Sequence, residues 1–127
     1  MNQYRELSTG LQHIGIPVSD LERSIGFYEK LGFELALKTE NEGVLVTFLK
    51  LGDLCLELYQ NGQASRRFGA IDHFAINVTD VDKVHDLALA DGLNIIEERQ
   101  LPYRDNGVKY FTILGPDKEK VNFNQYL

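Results

Sequence analysis

The fold of this chain is decided by the stretch Gln12-His13-Ile14-Gly15-Ile16-Pro17-Val18-Ser19-Asp20, which returns 60 residues later as Asp72-His73-Phe74-Ala75-Ile76-Asn77-Val78-Thr79-Asp80. At this spacing His13 aligns with His73, and farther along Gly32 aligns with Gly92. A repeat of this length predicts two copies of one supersecondary unit. The two histidines hold equivalent places in the two copies, so a pseudo-two-fold axis could bring them together.

Each copy of the repeat reads as a strand followed by a helix. Ser19, with a glutamate three residues on, has the spacing of a capping box, and Gly32 suits the position just after a helix end. We therefore expect a first helix over about 20–31. Thr79 and Gly92 repeat the same start and stop signals in the second copy.

Three further strands are predicted after each helix, from short apolar runs bounded by turn residues. They are Phe33–Leu37, Val44–Leu51 and Leu54–Gln60 in the first copy, and Leu93–Glu98, Val108–Leu114 and Lys120–Tyr126 in the second. The second copy has five extra residues before its Val108–Leu114 strand, so the offset there becomes 65. At that offset Thr47 aligns with Thr112, and Glu57 aligns with Asn122.

These patterns predict an α+β fold of two tandem βαβββ units, whose sheets form a concave cup with the helices outside. We expect a lead-in over residues 1–10, a first unit over 11–60, a linker over 61–70 and a second unit over 71–127. The two units are expected to make one structural domain, since a unit this small cannot bury both faces of its sheet alone.

The composition excludes several classes of function. A net charge of -6 gives no basic surface for nucleic acid or for an anionic membrane, and no segment approaches the roughly 18 apolar residues of a membrane span. The N-terminus lacks the apolar run of a signal peptide, and the lone Cys55 cannot form an internal disulfide. We therefore expect a cytoplasmic protein that acts on a small molecule.

Strand alternation predicts which polar side chains face the cup. Glu57 alternates with leucines that must meet the helix, and Asn122 alternates with Val121 and Phe123, so both should point the other way. His13 and His73 are expected on that same side. Two imidazoles and a carboxylate suit a divalent ion such as nickel, zinc, manganese or iron. A single histidine on a strand more often hydrogen-bonds the backbone than binds a metal. The equivalent placement of His13 and His73 in the two copies favours the interpretation that they are metal ligands.

Candidate substrate contacts surround these ligands in the predicted cup. Thr47, Thr112 and Tyr59 are expected to line it, although threonine is also an ordinary strand residue. Tyr103 and Arg104 lie in the longer loop of the second unit, where a lid over the cup is expected.

At these residues the chain resembles the vicinal oxygen chelate superfamily, which includes glyoxalase I, bleomycin resistance proteins, fosfomycin-inactivating enzymes and extradiol dioxygenases. The resemblance implies metal ligands at His13, Glu57, His73 and position 122. Glyoxalase-like proteins usually carry glutamate at this fourth position, and here it is Asn122. An amide oxygen coordinates weakly and cannot accept a proton, so the ion would be held less tightly and act as a stronger Lewis acid. The resemblance rests mainly on the stretches 13–20, 24–33, 56–58, 72–75 and 115–117.

The resemblance implies a glyoxalase I-like (lactoylglutathione lyase-like) homodimer. Such a metal-dependent lyase or isomerase would convert a small α-oxygenated carbonyl, of the thiol hemithioacetal type, through a metal-chelated enediolate. Glu57 would then be the catalytic base. Two alternatives stay open: a metal-free protein that sequesters a small molecule, as bleomycin resistance proteins do, and an extradiol-type dioxygenase.

Overall fold

The computed structural model describes residues 2–127 and divides into two compact units, one ending at Ala64 and the other running Ser65–Leu127. The first contains α1 (Gln3–Leu7), β1 (Ile14–Pro17), α2 (Leu21–Lys30), β2 (Glu34–Asn41), β3 (Val44–Leu51) and β4 (Leu54–Gln60). The second contains β5 (His73–Asn77), α3 (Val81–Ala90), β6 (Asn94–Leu101), β7 (Val108–Leu114) and β8 (Lys120–Tyr126). The predicted α+β fold with tandem βαβββ units is confirmed. None of the helices in residues 2–127 is long and apolar enough to cross a membrane.

The first and last strands of each unit lie side by side. The strand orders are β1-β4-β3-β2 and β5-β8-β7-β6, and in each sheet the first of these pairings is parallel while the others are antiparallel. As a result, Gly15 stands beside Glu57, and Ala75 stands beside Asn122. In each unit, this topology places residues of the first strand beside residues of the last strand, although they are far apart in the chain.

Each sheet packs one face against its own helix. In the first unit the fully buried Tyr28 of α2 lies on the side of Leu56 and Leu58. In the second, buried Phe111 and Val121 take the same place against α3. Because side chains alternate along a strand, the polar residues between these apolar ones point to the face away from the helix.

The helix caps differ from prediction by one residue. The N-caps are Asp20 and Asp80, whose carboxylates accept hydrogen bonds from the backbone N–H groups three residues on. The predicted caps, Ser19 and Thr79, are therefore wrong. Aspartate caps a helix as well as serine or threonine does. Because two residues that can cap stand next to each other, the sequence alone does not determine at which of them the helix begins. The predicted stop at Gly32 is confirmed by a left-handed φ of +103° directly after the C-cap residue.

The register of β3 corrects one predicted site residue. Thr47 stands opposite Leu58, on the face toward α2, whereas Phe48 stands opposite Glu57. Thr112, by contrast, stands opposite Asn122. The prediction that Thr47 faces away from the helix is therefore wrong. It assumed that all the extra length of the second unit precedes β7, but part of it lies in the β7–β8 turn, which spans residues 115–119.

Candidate functional site

In the first unit, His13 and Glu57 form a close pair on the face away from α2. The His13 Nε2 atom lies 3.5 Å from Glu57 Oε1, and both side chains are about one-third exposed or less, at 33% and 27%. The ring of Phe48 meets the imidazole edge-on, with 5.8 Å between centroids. A methyl group at Gly15 would lie 3.6 Å from Glu57 Oε1, so glycine there leaves the space beside the carboxylate open.

The other ring nitrogen of His13 is occupied. Nδ1 lies 2.9 Å from the amide oxygen of Gln12, which can only accept, so Nδ1 carries the proton. Nε2, the nitrogen that Gln12 leaves free for another ligand, faces the carboxylate of Glu57. Metal-ligating histidines usually have their second nitrogen held by such a hydrogen bond.

The donor pair fits a divalent metal ion. Two ligands on one ion, at bond lengths near 2.1 Å, stand about 3.0–3.4 Å apart. The 3.5 Å between His13 Nε2 and Glu57 Oε1 is close to that separation. Within either unit, the described residues include no group of three or more histidine, cysteine, aspartate or glutamate side chains that could hold a metal. Within the first unit, His13 and Glu57 are therefore two potential ligands and not a complete metal site.

In the second unit, His73 is held in the same way by the residue before it. Its Nδ1 lies 3.0 Å from Asp72 Oδ2, and the ammonium of Lys120 lies 3.1 Å from Asp72 Oδ1. Lys120 also sits 4.0 Å above the ring of Phe68. A carboxylate on Nδ1 fixes the imidazole and makes Nε2 a stronger donor to a metal.

These contacts make Asp72 more acidic. The hydrogen bond with His73, then that with Lys120, lowers the pKa of Asp72 below its usual 3.8. A lowered pKa in the folded state adds stability that is present above pH 3.8 and is lost as the pH falls through the folded-state pKa.

We therefore expect wild-type stability to fall more steeply below pH 4 than that of Asp72→Asn. Urea unfolding at pH 6, 4 and 3 measures this difference. Parallel pH dependence in the two proteins would show that the carboxylate gains nothing from its partners.

Asn122 lies in a row of polar side chains on the face of the second sheet that points away from α3. Its side-chain oxygen accepts a hydrogen bond from Thr112 Oγ1 at 2.8 Å, and the residue is 5% exposed. Thr112 Oγ1 also lies 3.2 Å from the carboxylate of Glu97. The Asn122 oxygen therefore already accepts one hydrogen bond within the protein.

Glu97 is the residue of this row that sequence reasoning missed. It stands opposite Thr112, whereas Glu98 stands opposite Phe111 on the helix side. A register shift between Ile95 and Glu97 breaks the alternation of β6. When two glutamates follow a bulge, the sequence alone does not show which one faces the helix and which one faces away from it.

The other predicted contacts occupy different surroundings. Tyr59 is near Gly15, where its hydroxyl would lie 3.6 Å from a methyl group on the glycine. Tyr103 is exposed, and the guanidinium of Arg104 lies 4.7 Å from the ring centroid of Tyr126. Their role as a lid stays a prediction.

Comparison with known proteins gives one family. Residues 10–123 match the family described as the Glyoxalase/Bleomycin resistance protein/Dioxygenase superfamily. The chain is 34% identical to the uncharacterized protein YwbC of Bacillus subtilis, over 91% of this chain and 96% of the relative. It is 30% identical to the metallothiol transferase FosB of Lysinibacillus sphaericus, over 90% of this chain and 80% of the relative.

The fold of a solved structure is also similar. A variant of the fosfomycin resistance protein FosX from Listeria monocytogenes, in complex with manganese(II) and a dihydroxypropylphosphonic acid, superposes with a TM-score of 0.74. The match covers 92% of this chain and 90% of that one at 18% identity, a level at which the likeness concerns the fold alone.

Proposed function

The chain belongs to the glyoxalase/bleomycin resistance protein/dioxygenase superfamily, and on this basis we propose that it is a metal-dependent lyase or isomerase of the glyoxalase I type. The substrate class is a small α-oxygenated carbonyl compound, such as the hemithioacetal of an α-oxoaldehyde and a thiol. The observation that supports this most is the His13–Glu57 pair, with Nε2 and Oε1 3.5 Å apart and the imidazole oriented by the contact of Nδ1 with Gln12.

We propose His13, Glu57 and His73 as the protein ligands of nickel, zinc, manganese or iron. Bound there, a divalent cation supplies positive charge that stabilises negative charge developing on neighbouring substrate oxygens, an effect of several kcal/mol by general precedent. Asn122 contributes weakly, because a neutral amide oxygen binds a cation less strongly than a carboxylate does.

In this proposal Glu57 moves the carbon-bound proton. Its carboxylate takes the proton from the carbon next to the carbonyl group and returns it to the neighbouring carbon, while the substrate passes through an enediolate. Gln12 and Asp72 keep the two imidazoles oriented through their Nδ1 atoms. Thr112 and Tyr59 supply neutral polar contacts, and the 102–107 loop covers the substrate.

We also propose that the working form is a homodimer in a reducing compartment, since the relatives implied by the resemblance are often dimeric and the chain has a single cysteine. Light scattering coupled to gel filtration tests the dimer; a monomer mass across micromolar concentrations would reject it.

Thiol transfer is the second candidate function. It is favoured by the 30% identity to a protein named metallothiol transferase. In this alternative the metal would activate a small oxygenated electrophile for attack by a thiol, and Glu57 would act as a ligand without moving a carbon-bound proton.

One assay separates these candidates. The stripped protein is reloaded with each metal and given either the hemithioacetal of methylglyoxal or a thiol with a small epoxide. Metal-dependent thioester formation supports the lyase, and metal-dependent consumption of the epoxide supports the transferase. Ligand binding without turnover and without metal would point to sequestration and reject both.

A further inference from the structure

We propose that Lys120 is a positioning residue for His73: through Asp72, it keeps the proton of the imidazole on Nδ1 and leaves Nε2 unprotonated for a ligand. This inference rests on the proposed function, in which His73 is a metal ligand, and it names the side chains that prepare this ligand for the ion. The residues concerned all lie in the second unit, Ser65–Leu127.

The carboxylate of Asp72 bridges the other two side chains. Its Oδ2 atom lies 3.0 Å from His73 Nδ1, and its Oδ1 atom lies 3.1 Å from the ammonium nitrogen of Lys120. An ionised carboxylate can only accept hydrogen bonds, so Nδ1 of His73 is the donor. In a neutral imidazole the other nitrogen, Nε2, then has a free lone pair, which can bind a metal ion.

Without this partner, His73 would favour the opposite tautomer. A histidine side chain in water prefers the proton on Nε2, and the side chain of His73 is 45% exposed. The Nδ1–H form is therefore set by the hydrogen bond to Asp72. The Asp72 side chain is itself 53% exposed, so water competes with His73 for its oxygens. The population of the Nδ1–H form thus depends on how firmly the carboxylate is held in place.

Lys120 holds that carboxylate in place. It is the first residue of β8 and pairs with His73 of β5, so its backbone is fixed beside that of the histidine. Its side chain is only 22% exposed, and its ammonium lies 4.0 Å from the ring centroid of Phe68. The face of an aromatic ring attracts a cation. Phe68 and Asp72 together confine the ammonium, and the ammonium in turn keeps the carboxylate next to the imidazole.

The first unit has no counterpart of this charged pair. The residue before His13 is the neutral Gln12, and at the offset of 65 residues Cys55 aligns with Lys120. Hydrogen bonds to a charged group are roughly twice as strong as those between neutral groups. The repeat therefore provides an internal comparison, because removing the lysine charge should change His73 and leave His13 as it is.

Three variants test the assignment. Lys120→Met removes the charge and keeps most of the length of the side chain. Lys120→Arg restores a cation that can donate to a carboxylate and stack on an aromatic ring. Lys109→Met is the matched control, because Lys109 lies in the same unit and forms its ion pair with Asp82 of α3, at 2.6 Å.

The first readout is the tautomer of His73 in the metal-free protein. With ¹⁵N-labelled histidine at pH 8.5, above the range in which histidine ordinarily titrates, the nitrogen chemical shifts show which ring atom carries the proton. The chain has three histidines, and His73→Gln identifies the signal. We expect the proton on Nδ1 in the wild type, in Lys120→Arg and in Lys109→Met, and we expect the Nε2–H form to become the main species in Lys120→Met. Wild-type shifts in Lys120→Met, or a wild type with its proton on Nε2, would overturn the proposal.

The second readout is nickel affinity, measured by calorimetric titration in 0.5 M sodium chloride, which screens the long-range effect of removing a positive charge. We expect about 10-fold weaker binding in Lys120→Met, as is usual for residues that orient a metal ligand, and wild-type affinity in Lys120→Arg and Lys109→Met. Unchanged affinity in Lys120→Met would overturn the positioning role of Lys120. A wild type that binds none of the four proposed metals would instead overturn the proposed function, and the tautomer of His73 would still decide whether Lys120 sets it.

Discussion

Replacing His13 with alanine is expected to weaken metal binding by roughly 100-fold or more, since even residues that only orient a ligand are worth 10–100-fold. The Nε2 atom of His13 faces Glu57 Oε1 at 3.5 Å, and its Nδ1 is held by Gln12, so the imidazole is already set as a donor. Alanine removes that donor and leaves a carboxylate without its partner. Isothermal titration with nickel or zinc measures the change.

His85→Ala is the matched control for His13→Ala. His85 lies on α3, where its ring meets Phe111 at 5.1 Å between centroids and its Nε2 pairs with Glu98. It should therefore leave metal affinity as it is in the wild type. Equal losses in the two variants would mean that the ion binds elsewhere or that both changes act through unfolding.

Glu57→Gln is expected to lower turnover by about 10²–10⁴-fold, the usual contribution of a positioned acid–base group. Glutamine keeps the shape of the side chain and one acceptor oxygen, but it cannot take a proton. Because Glu57 is also a proposed ligand, metal affinity should fall in parallel, and the assay must be run at saturating metal. The measurement is the rate of thioester formation.

Glu40→Gln is the matched control for Glu57→Gln. It removes one negative charge from the exposed strand β2, away from Glu57, and it should retain wild-type turnover. If Glu57→Gln remained fully active at saturating metal, Glu57 would not be the base. Loss of turnover in both variants would instead point to a general effect of net charge.

Most of the fold was predictable because the 60-residue repeat allowed each element to be read twice. Apolar alternation and glycine turns fixed the order of helices and strands, and the strand ends β3, β4, β7 and β8 agree with the predicted runs. The predictions that were wrong concern which of two adjacent residues takes a given structural role. Ser19 and Asp20 both suit an N-cap, and only the observed hydrogen bond from the Arg23 N–H selects Asp20.

The candidate site was predictable only where alternation is unbroken. Glu57 sits among leucines, and its facing could be read directly. Glu97 and Glu98 follow a register shift in β6. Because the shift interrupts the alternation of side chains, the sequence does not show which of the two glutamates faces away from the helix. Thr47 was misplaced because loop lengths, which alternation does not report, decide the register between the repeats.

The most direct test of the proposed metal site is the metal content of freshly purified wild-type protein, followed by titration of the stripped protein with nickel, zinc, manganese and ferrous iron. We expect saturable binding of about one divalent ion per chain, through two histidines and one carboxylate. No binding of any of the four ions, in a protein that is folded by circular dichroism, would contradict it and would leave the His13–Glu57 pair without its proposed role.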